Sequence, residues 1–312
     1  MLPIDAIRDE VITAVQKPGF CVLLSAPTGS GKSTRIPGML MDAGVGNTGT
    51  IIVVQPRRLA ARLLAGFVAK QYPCKLGAEV GYTVRFDSRC SAQTRILFVT
   101  DGILERRLTD DPTLEGVSAV IFDEVHERRL SGDLCLARVL ELQRSTRPNL
   151  GVVVMSATLE LDKLQGYLPQ ATVLRAEGRM YPVEISYLPP VPVRDRFGYV
   201  NPPPVWEQCA VAVRQLIDSS CVGDILVFLP GAYEIRRTVE ILENVGWMHG
   251  REVYALHGQL SPEAQAQAVE KGDCPRVIVS TNIAETSLTI EGVRAVVDSG
   301  TAREGRWDPV RG

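Results

Sequence analysis

Apolar residues in this chain fall in short blocks, with neither helical nor alternating spacing. CVLL (Cys21–Leu24), TIIVV (Thr50–Val54), RILFV (Arg95–Val99), AVIF (Ala119–Phe122), VVVM (Val152–Met155), ILVFL (Ile225–Leu229) and RVIVS (Arg276–Ser280) are rich in β-branched side chains. Runs of that length and make-up read as strands covered on both faces, which occurs where helices pack on either side of a parallel sheet. Helix-patterned stretches separate them, so the pattern predicts an α/β protein with mainly parallel sheets. No apolar run approaches the roughly 18 residues that span a bilayer, so no membrane partner is expected.

The strand–helix rhythm holds to about Ala176 and then breaks. From Tyr181 to Gln208 the texture is different, with six prolines between Pro189 and Pro204. Proline at that density propagates neither a helix nor a central strand, so this stretch reads as a connector. The rhythm then resumes: helix Val205–Ile217, strand Asp224–Pro230, helix Glu234–Val245, strand Val253–Gly258, helix Ser261–Gly272, strand Arg276–Thr281. Expected boundaries are a first domain over 1–178, a connector over 179–204 and a second domain over 205–312. Two α/β halves suggest similar domains facing each other across a ligand-binding cleft.

Composition narrows this only slightly. A chain of 312 residues with 45% hydrophobic content has material for two cores. The acidic N-terminal stretch MLPIDAIRDEV lacks the features of a secretion signal, so a cytoplasmic protein is expected. The seven cysteines are scattered without a C-x-x-C pair, which predicts buried thiols, with neither structural zinc nor disulfides. A net charge of −2 advertises no global field for nucleic acid, although a groove binder needs only local arginines.

The chemistry lies in the segments after the apolar blocks. SAPTGSGKST (Ser25–Thr34) has the make-up of a phosphate-cradling loop between a strand and a helix, with Ala26 where the usual signature has glycine. Its glycines let backbone N–H groups turn to phosphates, Lys32 reaches the β/γ oxygens and Ser33 can ligate Mg²⁺. Thr28, Gly29, Ser30, Gly31, Lys32, Ser33 and Thr34 are therefore the candidate nucleotide contacts. VIFDEVHE (Val120–Glu127) is an apolar strand ending in two acids, suited to holding the metal with Asp123 and positioning the attacking water with Glu124. His126 reads either as a link from the nucleotide site to the second domain or as a surface histidine paired with a carboxylate such as Glu127. Arg57 and Arg58, just past one strand, either grip phosphates or begin a solvated helix. Thr100 lies at the end of another strand, where α/β sheets bind ligands. Ser156 and Thr158 follow VVVM, where hydroxyls serve function or cap a helix. VIVSTNIAETSLTI (Val277–Ile290) bunches Ser280, Thr281, Asn282, Thr286 and Ser287 without a glycine or proline to explain the turn, which favours function.

Together these segments resemble the superfamily 2 helicases of the DEAH-box/RNA helicase A-like group. GSGKST is similar to its motif I, QPRRLAA to Ia, TDGIL to Ib, DEVH to II, SAT to III, FLPG to IV and STNIAETSLTI to V. VGYTVRFD, LTDDPTLEGV, FDEVHERRL and TIEGVRAVVDSG point to the bacterial, HrpB-type branch. The resemblance covers essentially the whole chain. It implies two tandem RecA-like P-loop domains that bind ATP or another NTP with Mg²⁺, and single-stranded RNA or DNA as partner.

The roles it implies are catalytic for Lys32, Asp123, Glu124 and His126, and metal-holding for Ser33 and Asp123. Ser287 lines the nucleotide site. Arg57, Arg58, Thr100, Gly231 and Thr281 touch the nucleic acid, and Ser156 and Thr158 relay the nucleotide state. The helix before motif V has no aromatic for the base, which leaves Arg62 as the candidate there. Val125 stands where the family has alanine. The chain reaches Gly312 before the family's arginine-rich motif VI, so the second domain is expected to be incomplete, and Arg303 and Arg306 do not match that motif. The expected activity is NTP hydrolysis coupled to movement along one strand; the alternative is a nucleotide-gated RNA-binding module with little turnover.

Overall fold

The computed structural model describes residues 2–157, 161–178, 182–188, 193–194, 200–285 and 290–303. It divides into two compact units, Met1–Tyr181 and Pro182–Gly312. In the first unit the apolar blocks become strands β1 (Cys21–Ser25), β2 (Thr50–Gln55), β3 (Val80–Val84), β4 (Asp87–Arg89), β5 (Ile96–Thr100), β6 (Val117–Phe122), β7 (Gly151–Ser156) and β8 (Thr172–Arg175). Among the described residues they form one sheet in the order β4-β3-β5-β2-β6-β7-β1-β8, parallel except where β4 pairs antiparallel with β3. The helices are α1 (Arg8–Ala14), α2 (Lys32–Asp42), α3 (Arg58–Gln71), α4 (Asp101–Asp110), α5 (Leu130–Arg144) and α6 (Leu161–Tyr167).

The blocks lack polar alternation because both faces of the sheet are covered. Val22, Leu24, Ile51, Val53, Phe98 and Ile121 point into one core with residues of α1, α2 and α3, such as Val11, Leu40 and Leu64. Their neighbours Leu23, Ile52, Val54, Val99 and Val120 point into a second core with Leu104 of α4 and Val139 of α5. The N-terminal ends of the strands are closed by long polar side chains that satisfy backbone carbonyls. Gln143 Nε2 donates to Gly19, Phe20 and Leu150 carbonyls, and Arg147 donates to those of Thr113, Leu114 and Val117. That leaves the C-terminal strand ends, with their loops, as the chemical face.

The second unit repeats the plan on a smaller scale. Two short strands, β9 (Val193–Arg194) and β10 (Val200–Asn201), pair antiparallel in the proline-rich stretch, which is therefore not wholly irregular. After α7 (Val205–Asp218) come β11 (Asp224–Phe228), α8 (Ala232–Glu243), β12 (Glu252–Leu256), α9 (Pro262–Val269), β13 (Arg276–Ser280) and β14 (Val293–Asp298). The described strands form an all-parallel sheet in the order β12-β13-β11-β14, with Val213 and Ile235 packed on Ile225, Val227, Val277 and Val279. Its N-terminal edge carries a buried ion pair. Arg276, 1% exposed, donates through Nε and Nη2 to Asp224 Oδ2 at 2.9 and 2.6 Å, and its N–H donates to Oδ1 at 2.8 Å.

No described helix is long and apolar enough to cross a membrane. The expectation of buried thiols needs correction: Cys135 and Cys209 are buried, but Cys90 and Cys274 are exposed. Burial pushes the Cys135 thiol up to about 12 and the Cys209 thiol to about 11, so both stay protonated at neutral pH.

Candidate active site

The loop after β1 lies where the strand order switches: β1 sits between β7 and β8, whereas the helix that follows leads to β2 on the far side of β6. Gly31 caps α2 in the left-handed region at φ 90°, and a side chain there would place its Cβ 2.6 Å from Leu2 Cδ1. The N-terminal segment thus forms a floor under the loop, tied by Ile4 N–H donating to the Ser30 carbonyl at 3.2 Å. Gly29, at φ 76°, has open space around it, so the upper side of the loop is accessible. The first turn of α2 leaves backbone N–H groups without helical partners, which suits an anion. Thr28 is exposed, Ser33 is half-buried, and Thr34 Oγ1 donates back to the Gly31 carbonyl at 3.1 Å, a local brace.

Facing the loop, β6 ends in the acid pair. Lys32 is 4% exposed and its Nζ lies 2.9 Å from Oε1 of Glu124, itself 3% exposed. Asp123 is buried; its Oδ2 accepts from Gln55 Nε2 at 2.7 Å and its Oδ1 from the Glu124 N–H at 2.9 Å. Loss of solvation, the Asp123 charge and Glu127 raise the Glu124 carboxyl, while Lys32 opposes them; the outcome is about 7. Glu124 holds a left-handed backbone at φ 54°, uncommon for a residue with a side chain and a mark of functional positions.

His126 is resolved in favour of neither sequence-level reading alone. Its carboxylate neighbour is Glu124, with Nε2 3.3 Å from Oε2, where Glu127 was expected. Its Nδ1 accepts from the Ala157 N–H at 3.4 Å, just after Ser156 ends β7. The histidine therefore joins the acid pair to the β7 exit within the first unit. Ser156 is buried, at 2% exposure.

The other predicted residues of this unit also collect at C-terminal strand ends. Arg57 caps α3 and Arg58 is its first residue, but only Arg58 is exposed. Arg57, 13% exposed, lies 3.5 Å from Glu127. Thr100 ends β5 and caps α4. Arg62 sits within α3, 3.5 Å from Asp87 in the β3–β4 hairpin, and no described contact joins it to the phosphate loop. In the second unit, Gly231 caps α8, with Glu234 Oε2 and the Arg303 guanidinium so close that a Cβ would meet them at 2.9 and 3.3 Å. Thr281 caps a single turn after β13 and donates its N–H to the Leu256 carbonyl at 3.2 Å. Thr158, Ser287 and Arg306 lie outside the described residues.

Three contributors lie inside the quoted motifs but had no role read for them from sequence. Gln55 is fully buried and orients Asp123; Glu127 and Arg129 tie the acid-pair loop to the β2 exit. Asp101, the first residue of α4, is a further acid close by. Burial lifts its carboxyl to about 6, with Arg129 opposing and Glu127, Asp133 and Glu105 adding to the rise.

The site fits a nucleotide with a hydrated metal. Ser30 Oγ and Gln55 Oε1 are buried without a hydrogen-bond partner, which in a native site calls for a ligand or ordered water. Ser33 offers one hydroxyl and Asp123 one carboxylate, a sparse donor set of the kind that would suit a hydrated Mg²⁺.

A phosphate loop facing an acid pair on a parallel sheet defines a P-loop nucleoside triphosphatase. The family profile described as DEAD/DEAH box helicase matches residues 5–166, and that described as Helicase conserved C-terminal domain matches 209–310. The chain belongs to the DEAD/DEAH box helicase family. It is 43% identical to ATP-dependent RNA helicase HrpB of Escherichia coli over 315 residues, covering 100% of this chain and 37% of that protein. It is 38% identical to the probable ATP-dependent RNA helicase DHR2 of Saccharomyces cerevisiae, over 98% of this chain and 42% of the relative. The crystal structure of Escherichia coli DEAH/RHA helicase HrpB matches with a TM-score of 0.85 at 43% identity, over 99% of this chain and 38% of that one. The chain thus spans less than half the length of these relatives. The expected likeness to the HrpB-type branch, and the tandem mainly parallel α/β architecture, are borne out.

Proposed function

We propose that this chain is the ATP-hydrolysing core of an RNA helicase, with turnover coupled to movement along a single strand. The observation that carries the reading is the buried Lys32–Glu124 pair at 2.9 Å beneath an accessible phosphate loop. A lysine and a base in mutual contact are poised to separate when an anion arrives. Phosphate oxygens replace Glu124 as the partner of Lys32, which frees the carboxylate to take a proton from the attacking water. Burial lifts the Glu124 carboxyl above the usual carboxylate range, the direction that strengthens a general base. Mg²⁺, when bound, neutralises developing phosphate charge; Ser33 and Asp123 hold it, and Gln55 keeps Asp123 oriented.

Thr28, Gly29, Ser30, Gly31 and Thr34 line the phosphates through backbone and hydroxyl groups, and His126, Ser156 and Thr158 relay the state of that site. Arg57, Arg58, Thr100, Gly231 and Thr281 contact the backbone of the strand; they are at C-terminal strand ends or the loops after them, where α/β sheets receive ligands. The relatives' names as RNA helicases support RNA over DNA. The proposed domain limits are 1–178 and 205–312, with 179–204 connecting them.

Steady-state ATP hydrolysis by the chain, with and without single-stranded RNA, tests the reading. RNA-stimulated turnover supports it. Intact binding of ATP and RNA with background turnover instead favours a nucleotide-gated RNA-binding module, and binding of neither overturns both.

A further inference from the structure

Three consecutive residues at the exit of β2 are each gripped by the loop at the exit of β6. Gln55 Nε2 donates to Asp123 Oδ2 at 2.7 Å, the Pro56 carbonyl accepts from Arg129 Nη1 at 2.8 Å, and Arg57 Nη2 lies 3.5 Å from Glu127 Oε1. Glu127 Oε2 accepts from Arg129 Nε at 3.0 Å, so one carboxylate, 12% exposed, serves two arginines. The grip therefore runs from the proposed metal-holding acid at one end to a proposed strand contact at the other.

The loop that makes this grip is built to move as a piece. Val125–Glu127 is a single 3-10 turn closed by Glu127 N–H on the Glu124 carbonyl at 2.9 Å and bracketed by left-handed residues, Glu124 at φ 54° and Arg128 at φ 48°. Side-chain-bearing residues persist in that region only where surrounding contacts over-determine them. Glu124 is also the group that exchanges partners when Lys32 turns to a phosphate. Because the turn is closed, a shift of Glu124 is carried to Glu127 three residues on.

We propose that Glu127 is a positioning residue for Arg57: through its carboxylate, the state of the phosphate site sets how firmly the β2 exit holds the nucleic-acid strand. The inference rests on the reading of the chain as a nucleotide-dependent, strand-binding core. A structural brace alone would alter stability, but not the thermodynamic coupling between two ligands.

The test uses the full chain and a fluorescein-labelled single-stranded oligouridylate, with affinity read by anisotropy. Measurements are made without nucleotide and with a non-hydrolysable ATP analogue plus Mg²⁺. In the wild type the two affinities differ by about fivefold or more. Glu127→Gln brings that ratio towards one while analogue affinity stays within about twofold, and Glu127→Asp, which keeps the charge, restores part of it. In an Arg57→Gln background, Glu127→Gln adds nothing further, as expected for two residues acting through one contact. A Glu127→Gln protein that keeps the wild-type ratio, or loses RNA affinity equally in both states, overturns the inference. So does full additivity with Arg57→Gln, or a wild type that binds both ligands without coupling. A wild type that binds neither ligand overturns the proposed function itself, which separates the two failures.

Discussion

At the scale of single residues, the site is governed by one buried ion pair and the acids around it. Lys32→Ala strips Glu124 of its cation and the phosphates of their partner. Truncating one member of a buried charge pair costs on the order of 3 kcal/mol, so nucleotide affinity, measured by calorimetry, should fall roughly a hundredfold. Glu124→Gln keeps the shape and removes the base; turnover should drop by about 10² to 10⁴ while nucleotide affinity holds within about twofold. Asp101 gives a prediction in pH. Its carboxyl ordinarily titrates at 3.8 and is lifted to about 6 by burial, so the folded chain binds this proton more tightly than the unfolded chain. Its contribution to stability is fully present below pH 3.8 and is lost as pH rises through about 6. Asp101→Asn should flatten that loss by about 1 kcal/mol after allowance for solvent screening, visible in urea midpoints measured across the window. Lys32, Asp123 and Glu124 were legible beforehand because their spacing is itself the chemistry. Gln55 was not, because a glutamine ending a strand looks like any other until its neighbour in space is known.

At the scale of elements, the apolar blocks announced the buried strands because double-sided burial removes polar alternation. The β3–β4 hairpin carried no such mark: Val80–Arg89 mixes glycine, threonine and arginine, and its turn places Phe86 at φ 68°. Gly81 is needed there because a Cβ would come within 2.4 Å of the Arg89 carbonyl, a requirement set by the partner strand. Proline density concealed the β9–β10 pair for a related reason, since two paired residues per strand need no periodicity. The Arg276–Asp224 pair likewise joins residues with no shared motif. Asp224→Ala leaves Arg276 buried without its counter-charge and should destabilise the second unit by about 3 to 5 kcal/mol. All three tryptophans, Trp206, Trp247 and Trp307, lie after Tyr181, so tryptophan fluorescence during urea unfolding follows that unit alone. An unmoved fluorescence midpoint would mean the pair contributes little.

At the scale of the molecule, seven ordered motifs made the family legible, whereas the identity of the gripping contacts needed coordinates. A chain of net charge −2 that binds RNA must do so through local arginines. With Arg57 and Arg58 as the cationic contacts, the slope of log affinity against log salt should be near −1.4, from about 0.7 per neutralised phosphate on a single strand. A slope near zero would remove phosphate contacts from the reading. The position of β1 carries a further consequence, in time. The phosphate loop leaves the ribosome well before the partners of its strand, since β1 pairs on one side with Val152–Ser156 and on the other with Thr172–Arg175. During synthesis the loop must therefore wait through most of the first unit before its strand has neighbours. Nascent chains halted with Arg175 still in the exit tunnel should fail to retain ATP, and slightly longer ones should retain it, so the ability to bind nucleotide would mark the moment at which the first unit is complete.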